Sequence, residues 1–203
     1  MAKIIYLMGA SGSGKDTLLN ALKTQKINKK TPNGYKNTIL VAHRYITRDA
    51  SHQSENHISL SEEEFLFRKE AGLFMLDWYA NGHFYGLGIE VKEWVSKGYD
   101  VIINGSRAHL QAAKEQLGEQ LMAVCLTVSE DLLKERLIQR GRENAEQITQ
   151  RLARAAQYAE TLPSYTHFID NEGNIESSVN KLMALIRLVS QSSKGERVVF
   201  EGM

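Results

Sequence analysis

The chain has 203 residues, of which 42% are hydrophobic and 24% are charged, and its formal net charge at pH 7 is +1. These values are typical of one globular domain with a substantial core, and they exclude a protein that holds a polyanion by overall charge alone. The single cysteine, Cys125, excludes an internal disulfide, and no apolar run reaches the length of a membrane span, so we expect a cytoplasmic protein without membrane or nucleic-acid partners.

Short apolar runs alternate with helical patterns along the chain. Strands are predicted at 3–8, 38–43, 99–104, 121–128 and 167–170, with an extended segment at 83–89. Helices are predicted at 15–26, from Ser61 through FLFRKEAGLFML, at 90–97, at 108–117, after a Ser129 cap, at 145–160 and at 175–189. This alternation predicts an α/β fold in which helices cover both faces of a parallel sheet.

Two segments fall outside this pattern. Residues 23–38 are polar and rich in lysine, and we interpret them as a solvated surface loop rather than a nucleic-acid contact. Residues 191–203 show no clear period and are predicted to form a disordered tail. Residues 1–190 are therefore predicted to form a single domain, and no pattern predicts an oligomeric state.

The first predicted strand leads into GASGSGK, which fits the pattern G-x-x-x-x-G-K. Glycines let the backbone curl so that several N–H groups point at one anion, and the helix that follows adds positive potential at its N-terminus. A glycine-rich turn with a chance lysine is the alternative, and the order strand, loop, helix disfavours it. The residues predicted to hold nucleotide phosphates are Gly9, Ala10, Ser11, Gly12, Ser13, Gly14, Lys15, Asp16 and Thr17.

Asp16 stands where such a loop normally carries Ser or Thr, whose hydroxyl binds Mg²⁺ directly. Our hypothesis is that Asp16 binds the metal through water while Thr17 contacts a phosphate.

Arginines are grouped at two later points. Arg44 and Arg48 follow the second strand and suit a phosphate-bearing acceptor. The segment 136–158 holds five more, with Gly141 as a flexible point, and predicts a lid that closes over transferring phosphates at about 138–150. Because some of the five are expected to be solvated only, Arg140 and Arg151 are the ones predicted to be catalytic, together with Lys15.

The order of the loop, YITR, NGHFYG, DVIIN, RLIQRGR and ITQRLARA resembles the guanylate-kinase group of P-loop kinases over about residues 3–188. Within that group, GASGSGKDTLL, VAHRYITRDAS, SENHISLSE, VIINGSRAHL and RGRENAEQI resemble the ribose 1,5-bisphosphate phosphokinases. The resemblance implies a P-loop NTPase fold with an acceptor-binding insert at about 44–90. It also implies transfer of the ATP γ-phosphate to ribose 1,5-bisphosphate in bacterial phosphonate breakdown, with ATP and Mg²⁺ as cofactors and 5-phosphoribosyl 1-diphosphate as product.

Departures from guanylate kinase favour this narrower resemblance. Ser51 replaces a phosphate-binding arginine, Leu87 replaces the threonine that reads guanine, and Asn104 to Arg107 replace an acidic stretch. The loss of base-reading polar groups and the gain of an arginine suit an acceptor with two phosphates and no base. The resemblance implies acceptor contacts from Arg44, Arg48, His57, Tyr85, Ser106 and Arg107.

The proposed acceptor is a phosphate oxygen that is already anionic, so the reaction needs electrostatic support more than a general base. Three other functions remain as alternatives: a guanylate or other nucleoside monophosphate kinase, a non-catalytic guanylate-kinase-like interaction module, and a regulatory GTPase. The intact loop disfavours the interaction module, and the missing N-K-x-D stretch disfavours the GTPase.

Overall fold

The computed structural model describes residues 1–24, 39–48, 56–141 and 143–192, and every structural statement below concerns those residues. Most of the predicted lysine-rich loop, Ser51, Arg142 and most of the predicted tail lie outside them. Within the described ranges, no helix combines the length and the apolarity needed to cross a membrane.

The predicted strands and helices are present, together with three strands that the sequence did not predict, at 44–46, 57–59 and 74–80. The strands are β1 (Ile4–Gly9), β2 (Ile39–Val41), β3 (Arg44–Ile46), β4 (His57–Ser59), β5 (Phe74–Ala80), β6 (His83–Gly88), β7 (Asp100–Asn104), β8 (Leu121–Thr127) and β9 (His167–Asp170). The helices are α1 (Lys15–Thr24), α2 (Glu62–Glu70), α3 (Glu90–Ser96), α4 (Leu110–Leu117), α5 (Glu130–Arg140), α6 (Ala145–Glu160) and α7 (Ile175–Ser192), with a short 3₁₀ helix at Arg107–His109.

A five-stranded sheet in the order β2-β7-β1-β8-β9 forms the centre of the fold, and all of its pairings are parallel. Alternate residues of β1 point to opposite faces, so Ile5 and Leu7 pack with α1 and α7, while Ile4 and Tyr6 pack with α3 and α4. The predicted parallel sheet with helices on both faces is therefore confirmed. Because both faces are covered, its strands are continuous apolar runs rather than alternating ones.

A second, four-stranded sheet in the order β4-β3-β6-β5 stands beside the first. The sequence-based prediction was wrong here, because the helix predicted through FLFRKEAGLFML ends at Glu70 and the rest of that run forms β5. The helix does begin as predicted, since the Ser61 hydroxyl accepts a hydrogen bond from the Glu64 N–H at 3.1 Å. Gly72 has φ of +70°, a left-handed conformation that ends the helix and turns the chain into the strand.

The strand predicted at 38–43 is present as the shorter β2. β2 ends at Val41 in the central sheet, and the chain crosses to the second sheet, where β3 begins at Arg44. This crossing places the first arginine of the predicted acceptor pair on the second sheet.

Helices α5 and α6 form the segment predicted as a lid. Leu133, Leu137 and Ile148 pack against one another and hold the two helices together. Ser129 precedes α5, but its side chain makes no capping bond, and its N–H instead donates to Glu172 Oε1 at 2.8 Å. The cap that is formed belongs to α6, where Asn144 and Gln147 bond reciprocally as a capping box.

Candidate active site

The glycine-rich loop connects the carboxyl end of β1 to α1, as the sequence predicts. Gly12 and Gly14 have φ of +94° and +93°, which side chains with a Cβ rarely adopt. Packing also excludes a side chain at Gly14, because a Cβ there would lie 2.4 Å from Asn171 Nδ2. The loop glycines are therefore required both for the curl of the backbone and for close packing behind it.

Buried hydrogen bonds fix the loop from behind. Asn171, which follows β9 and is 4% exposed, donates from Nδ2 to the Ser13 carbonyl at 2.7 Å. Its Oδ1 accepts a bond from the Ser178 hydroxyl on α7 at 2.7 Å. Arg136 on α5 donates to the Asn171 carbonyl at 3.0 Å and to the Ser13 carbonyl at 3.4 Å. The loop is thus preorganised by β9, α7 and α5 rather than by its own residues alone.

Lys15, the first residue of α1, folds back over the loop. Its ammonium donates to the Gly9 carbonyl at 2.9 Å and to the Ala10 carbonyl at 3.0 Å. Burial lowers the pKa of Lys15 to about 8, with Asp16 opposing and the nearby cations of Arg107 and Arg44 adding to the decrease. A phosphate anion beside this ammonium would therefore relieve an unfavourable electrostatic environment.

A cleft of about 780 Å³ opens in front of the loop. Two groups of residues line this cleft. The first, which we call the loop side, includes residues of the glycine-rich loop with Arg136 and Asn171. The second, which we call the second-sheet side, comprises Arg44, Arg48, Trp78, Ala80, Asn81 and Tyr85. Six cationic side chains line the cleft among the described residues: Lys15, Arg44, Arg48, Arg107, Arg136 and Arg140. Against these, Asp16 is the single carboxylate among the described lining residues. This strong excess of positive charge suits two polyanions.

The loop after β7 joins the two sides. The Tyr6 hydroxyl accepts from the Ser106 N–H at 3.0 Å and donates to the Ser106 carbonyl at 2.9 Å. Burial raises the pKa of Tyr6 to about 12, so the hydroxyl keeps its proton and remains a donor. Gly105 is required for this contact because a Cβ there would lie 2.2 Å from the Tyr6 ring. The arrangement presents Ser106 and Arg107 to the cleft.

On the second-sheet side, aromatic rings and arginines lie together. Trp78 on β5 and Tyr85 on β6 are register partners, and their rings stack at 5.4 Å with an interplanar angle of 4°. The Arg44 guanidinium lies over the Tyr85 ring, 5.5 Å from its centroid. Trp78 also stacks on His109, at 5.4 Å and 23°, and His109 belongs to the turn that carries Arg107.

The two arginines predicted to be catalytic in the lid segment have different surroundings. Arg140, at the end of α5, lines the cleft, and its Nη1 lies 3.5 Å from the Ser11 hydroxyl. Its Nη2 contacts Glu143, whose side chain is 5% exposed. Arg151 on α6 lies 3.3 Å from the same Glu143 oxygen and is not among the residues that line the cleft. A single carboxylate therefore joins the two arginines across the junction of α5 and α6.

Comparison with known proteins decides the family. The guanylate kinase family model matches residues 1–188. The chain is 48% identical over 188 residues to ribose 1,5-bisphosphate phosphokinase PhnN of Yersinia pestis, covering 93% of each chain. It is 50% identical to ribose 1,5-bisphosphate phosphokinase PhnN of Enterobacter lignolyticus, covering 91% of this chain and 92% of the relative. The chain belongs to the guanylate kinase family and, within it, to the PhnN group.

A solved structure agrees with the fold of this guanylate kinase family member. The guanylate kinase of Anaplasma phagocytophilum aligns with a TM-score of 0.68 at 20% identity, covering 92% of this chain and 85% of that one. At this identity the comparison supports the P-loop fold.

Most residues that the sequence singles out lie around the cleft of this PhnN-group chain. Among the predicted loop residues, Ala10 and Ser13 line a smaller cavity of about 220 Å³ behind the loop instead. Two further predicted residues also lie away from the cleft lining. Arg151 pairs with Glu143, and His57 lies on β4 as the register partner of Arg44.

The cleft residues that sequence reasoning missed include Trp78, Arg136 and Asn171. A signal for Arg136 was present, because Arg136 and Arg140 are four residues apart on one helix and so share a face. Trp78 lies just after the predicted helical run, in a part of β5 for which the sequence predicted no element. Asn171 follows the predicted strand HFID directly, at the edge of the sheet where ligands bind in α/β folds.

Proposed function

We propose that this chain transfers the γ-phosphate of ATP to the 1-phosphate of ribose 1,5-bisphosphate, forming 5-phosphoribosyl 1-diphosphate and ADP. The observation that carries the proposal is that one cleft contains both a phosphate-binding loop and a separate group of arginines, Arg44, Arg48 and Arg107. Two phosphate sites in one cleft are what a kinase with a phosphorylated acceptor needs. The names of the two relatives agree with this reaction.

The loop side holds the triphosphate in this proposal. The loop amides and the Lys15 ammonium bind the β- and γ-phosphates, and Arg136 extends the positive surface. The cleft continues to Gly173 and Ile175, where backbone and an aliphatic side chain suit the nucleoside.

The second-sheet side and the loop after β7 hold the acceptor. Arg44, Arg48 and Arg107 offer forked N–H donors that match the geometry of phosphate, while Ser106 and Asn81 supply neutral polar groups. No carboxylate lies among the described residues that line this side, so the N–H donors of a guanine ring would lack a charged acceptor. This arrangement favours ribose 1,5-bisphosphate over GMP.

In the reaction, an oxygen of the acceptor phosphate attacks the γ-phosphorus of ATP. The bond between this phosphorus and the oxygen that bridges to the β-phosphate breaks, and ADP leaves. The attacking oxygen is already anionic, so no proton must be removed. The protein's work is to hold two polyanions in line, and Lys15 and Arg140 offset the charge on the transferring group. Arg151 is assigned to holding Glu143, which orients Arg140.

The residues beside the glycine-rich loop fit Mg²⁺. The described residues contain no cluster of three or more His, Cys, Asp or Glu side chains, whereas Mg²⁺ in kinases needs only one or two carboxylates besides phosphates and water. Asp16 lies beside Lys15 in the cleft, and its Oδ1 accepts from Asn104 Nδ2 at 3.4 Å. Asp16 fits such a site and would hold the ion through water, with Thr17 beside a phosphate, and the ion would reduce repulsion between the phosphates when bound.

Substitution of Asp16 by Asn tests this assignment, because it removes the charge and keeps the shape. The Mg²⁺ concentration that gives half-maximal activity is expected to rise about tenfold or more. An unchanged Mg²⁺ dependence would remove Asp16 from the metal site.

The acceptor is tested by measuring ADP release from ATP with ribose 1,5-bisphosphate or GMP as the second substrate, with Lys15→Ala as the control for background hydrolysis. We expect turnover with the bisphosphate and little with GMP. Efficient use of GMP and none of ribose 1,5-bisphosphate would show a nucleoside monophosphate kinase and reject the proposal.

A further inference from the structure

We propose that Trp78 is a specificity-determining residue, which excludes acceptors that carry a base by filling the second-sheet side of the cleft with rings that are already stacked. The inference rests on the proposed function, because it concerns the acceptor of that reaction. It concerns selection between acceptors, whereas the arginines around Trp78 bind the phosphate that both kinds of acceptor share.

Sheet register creates the stack. Trp78 and Tyr85 lie directly opposite each other on the antiparallel strands β5 and β6, so their side chains rise from the same face at adjacent positions. The ring planes differ by 4°, with centroids 5.4 Å apart. Two rings anchored on paired strands and stacked in parallel have little freedom to open for a third ring.

Burial shows that the stack leaves no platform for a base. Trp78 and Tyr85 are each 8% exposed, although both line the cleft. Proteins that bind bases by stacking present an open aromatic face. So small an exposed fraction leaves neither ring an open face on which a purine could stack.

The third ring links this wall to the phosphate-binding groups. His109 stacks on Trp78 and lies two residues after Arg107. The Arg44 guanidinium lies over Tyr85, the ring on which Trp78 stacks. Trp78 therefore contacts both the ring next to Arg44 and the turn that carries Arg107, and a base inserted at its position would have to displace these contacts.

The experiment compares wild type with Trp78→Ala, Trp78→Phe and His109→Ala, and uses Tyr79→Ala as the matched control. Tyr79 is the next aromatic residue along β5, is 63% exposed and does not line the cleft. For each protein, kcat/KM is measured with ribose 1,5-bisphosphate and with GMP, and GMP binding is measured by calorimetry.

Trp78→Ala is expected to lower the ratio of kcat/KM for ribose 1,5-bisphosphate over GMP by about tenfold or more and to make GMP binding measurable. Trp78→Phe and His109→Ala are expected to lower the ratio less, since each removes part of the stack. Tyr79→Ala is expected to keep the wild-type ratio.

Folding is checked by thermal denaturation, because Trp78 also packs in the core. Should Trp78→Ala unfold, the Phe and His109 variants decide the matter through the same ratio. A wild-type ratio in folded variants, without gain of GMP binding, would overturn the inference. Failure of the proposed function is seen separately, as absence of turnover with ribose 1,5-bisphosphate in the wild-type protein.

Discussion

The two sides of the cleft are built in different ways. The loop side is made largely by consecutive residues whose backbone groups are proposed to bind the triphosphate. Its shape depends on glycine conformations and on the buried bonds of Asn171. The second-sheet side is made by side chains from β3, β5 and β6, which the pairing of strands brings together. The residues proposed to bind the nucleotide phosphates are therefore mostly neighbours in the sequence. The residues proposed to recognise the acceptor come from separate parts of the chain.

The largest expected effect tests whether the loop side carries the chemistry. Lys15→Ala should lower kcat/KM for ADP release by about 10³-fold, because it removes the cation on the transferring phosphate. Lys15→Arg retains the charge and should recover part of the activity. Near-normal turnover of folded Lys15→Ala would mean that the loop is not the site of transfer.

The next largest effect tests whether the two sides of the cleft bind different substrates. Arg48→Ala should raise the KM for the acceptor by about 10- to 100-fold, the cost of one charged hydrogen bond, and should leave ATP affinity nearly unchanged. Arg154→Ala is the control, since that residue is on α6 and does not line the cleft. An equal loss of affinity for both substrates on Arg48→Ala would contradict the division of the cleft.

The pH dependence of nucleotide binding gives a further measure of the loop side. Because the pKa of Lys15 is lowered to about 8, the ammonium is lost as pH rises through 8. In the proposed site this ammonium binds the phosphates of ATP. Calorimetry should show ATP affinity falling by up to about tenfold per pH unit above 8. Lys15→Arg should abolish this dependence, and a dependence that persists in Lys15→Arg would assign it to another group.

Without ATP, the free energy of unfolding should increase as pH rises above 8, whereas ATP affinity falls. The pKa of Lys15 is about 8 in the folded protein, whereas an unburied lysine has an ordinary pKa of 10.5. Between these values the unfolded chain binds a proton that the native state does not, so the contribution of Lys15 to the free energy of unfolding increases with pH.

The smallest expected effect concerns the junction of α5 and α6. Glu143→Gln keeps the shape of the side chain and removes the charge shared by Arg140 and Arg151, so kcat should fall about fivefold while both KM values change little. Glu146→Gln on α6, which does not line the cleft, is the matched control. A change in acceptor KM alone would place Glu143 with the acceptor site.

The sequence predicted the central sheet and the phosphate loop because both are local patterns. Buried parallel strands are continuous apolar runs such as KIIYLM, and the loop is a fixed spacing of glycine and lysine. Of the second sheet, only β6 was predicted, as the extended segment at 83–89. FLFRKEAGLFML follows a good helix cap at Ser61, and only the left-handed Gly72 separates the helix from β5. Trp78 belongs to that strand and was missed with it. Its contact with Tyr85 depends on how β5 and β6 pair, which the spacing of residues along the sequence does not show.

The lid arginines show the same limit of local reasoning. Arg140 was predicted and lines the cleft, but Arg136 was passed over in favour of Arg151. Which of these arginines reaches the cleft depends on how α5 and α6 pack through Leu133, Leu137 and Ile148. The spacing of the arginines in the sequence does not reveal that packing.

The bonds from Asn171 to Ser13 and from Ser178 to Asn171 have a consequence for biosynthesis. The nucleotide loop lies near the beginning of the chain, but the groups that fix it are made near the end. A nascent polypeptide whose loop has emerged without Asn171 and Ser178 therefore holds an unfinished binding site, and we expect ATP to support folding only after those two residues have been synthesised.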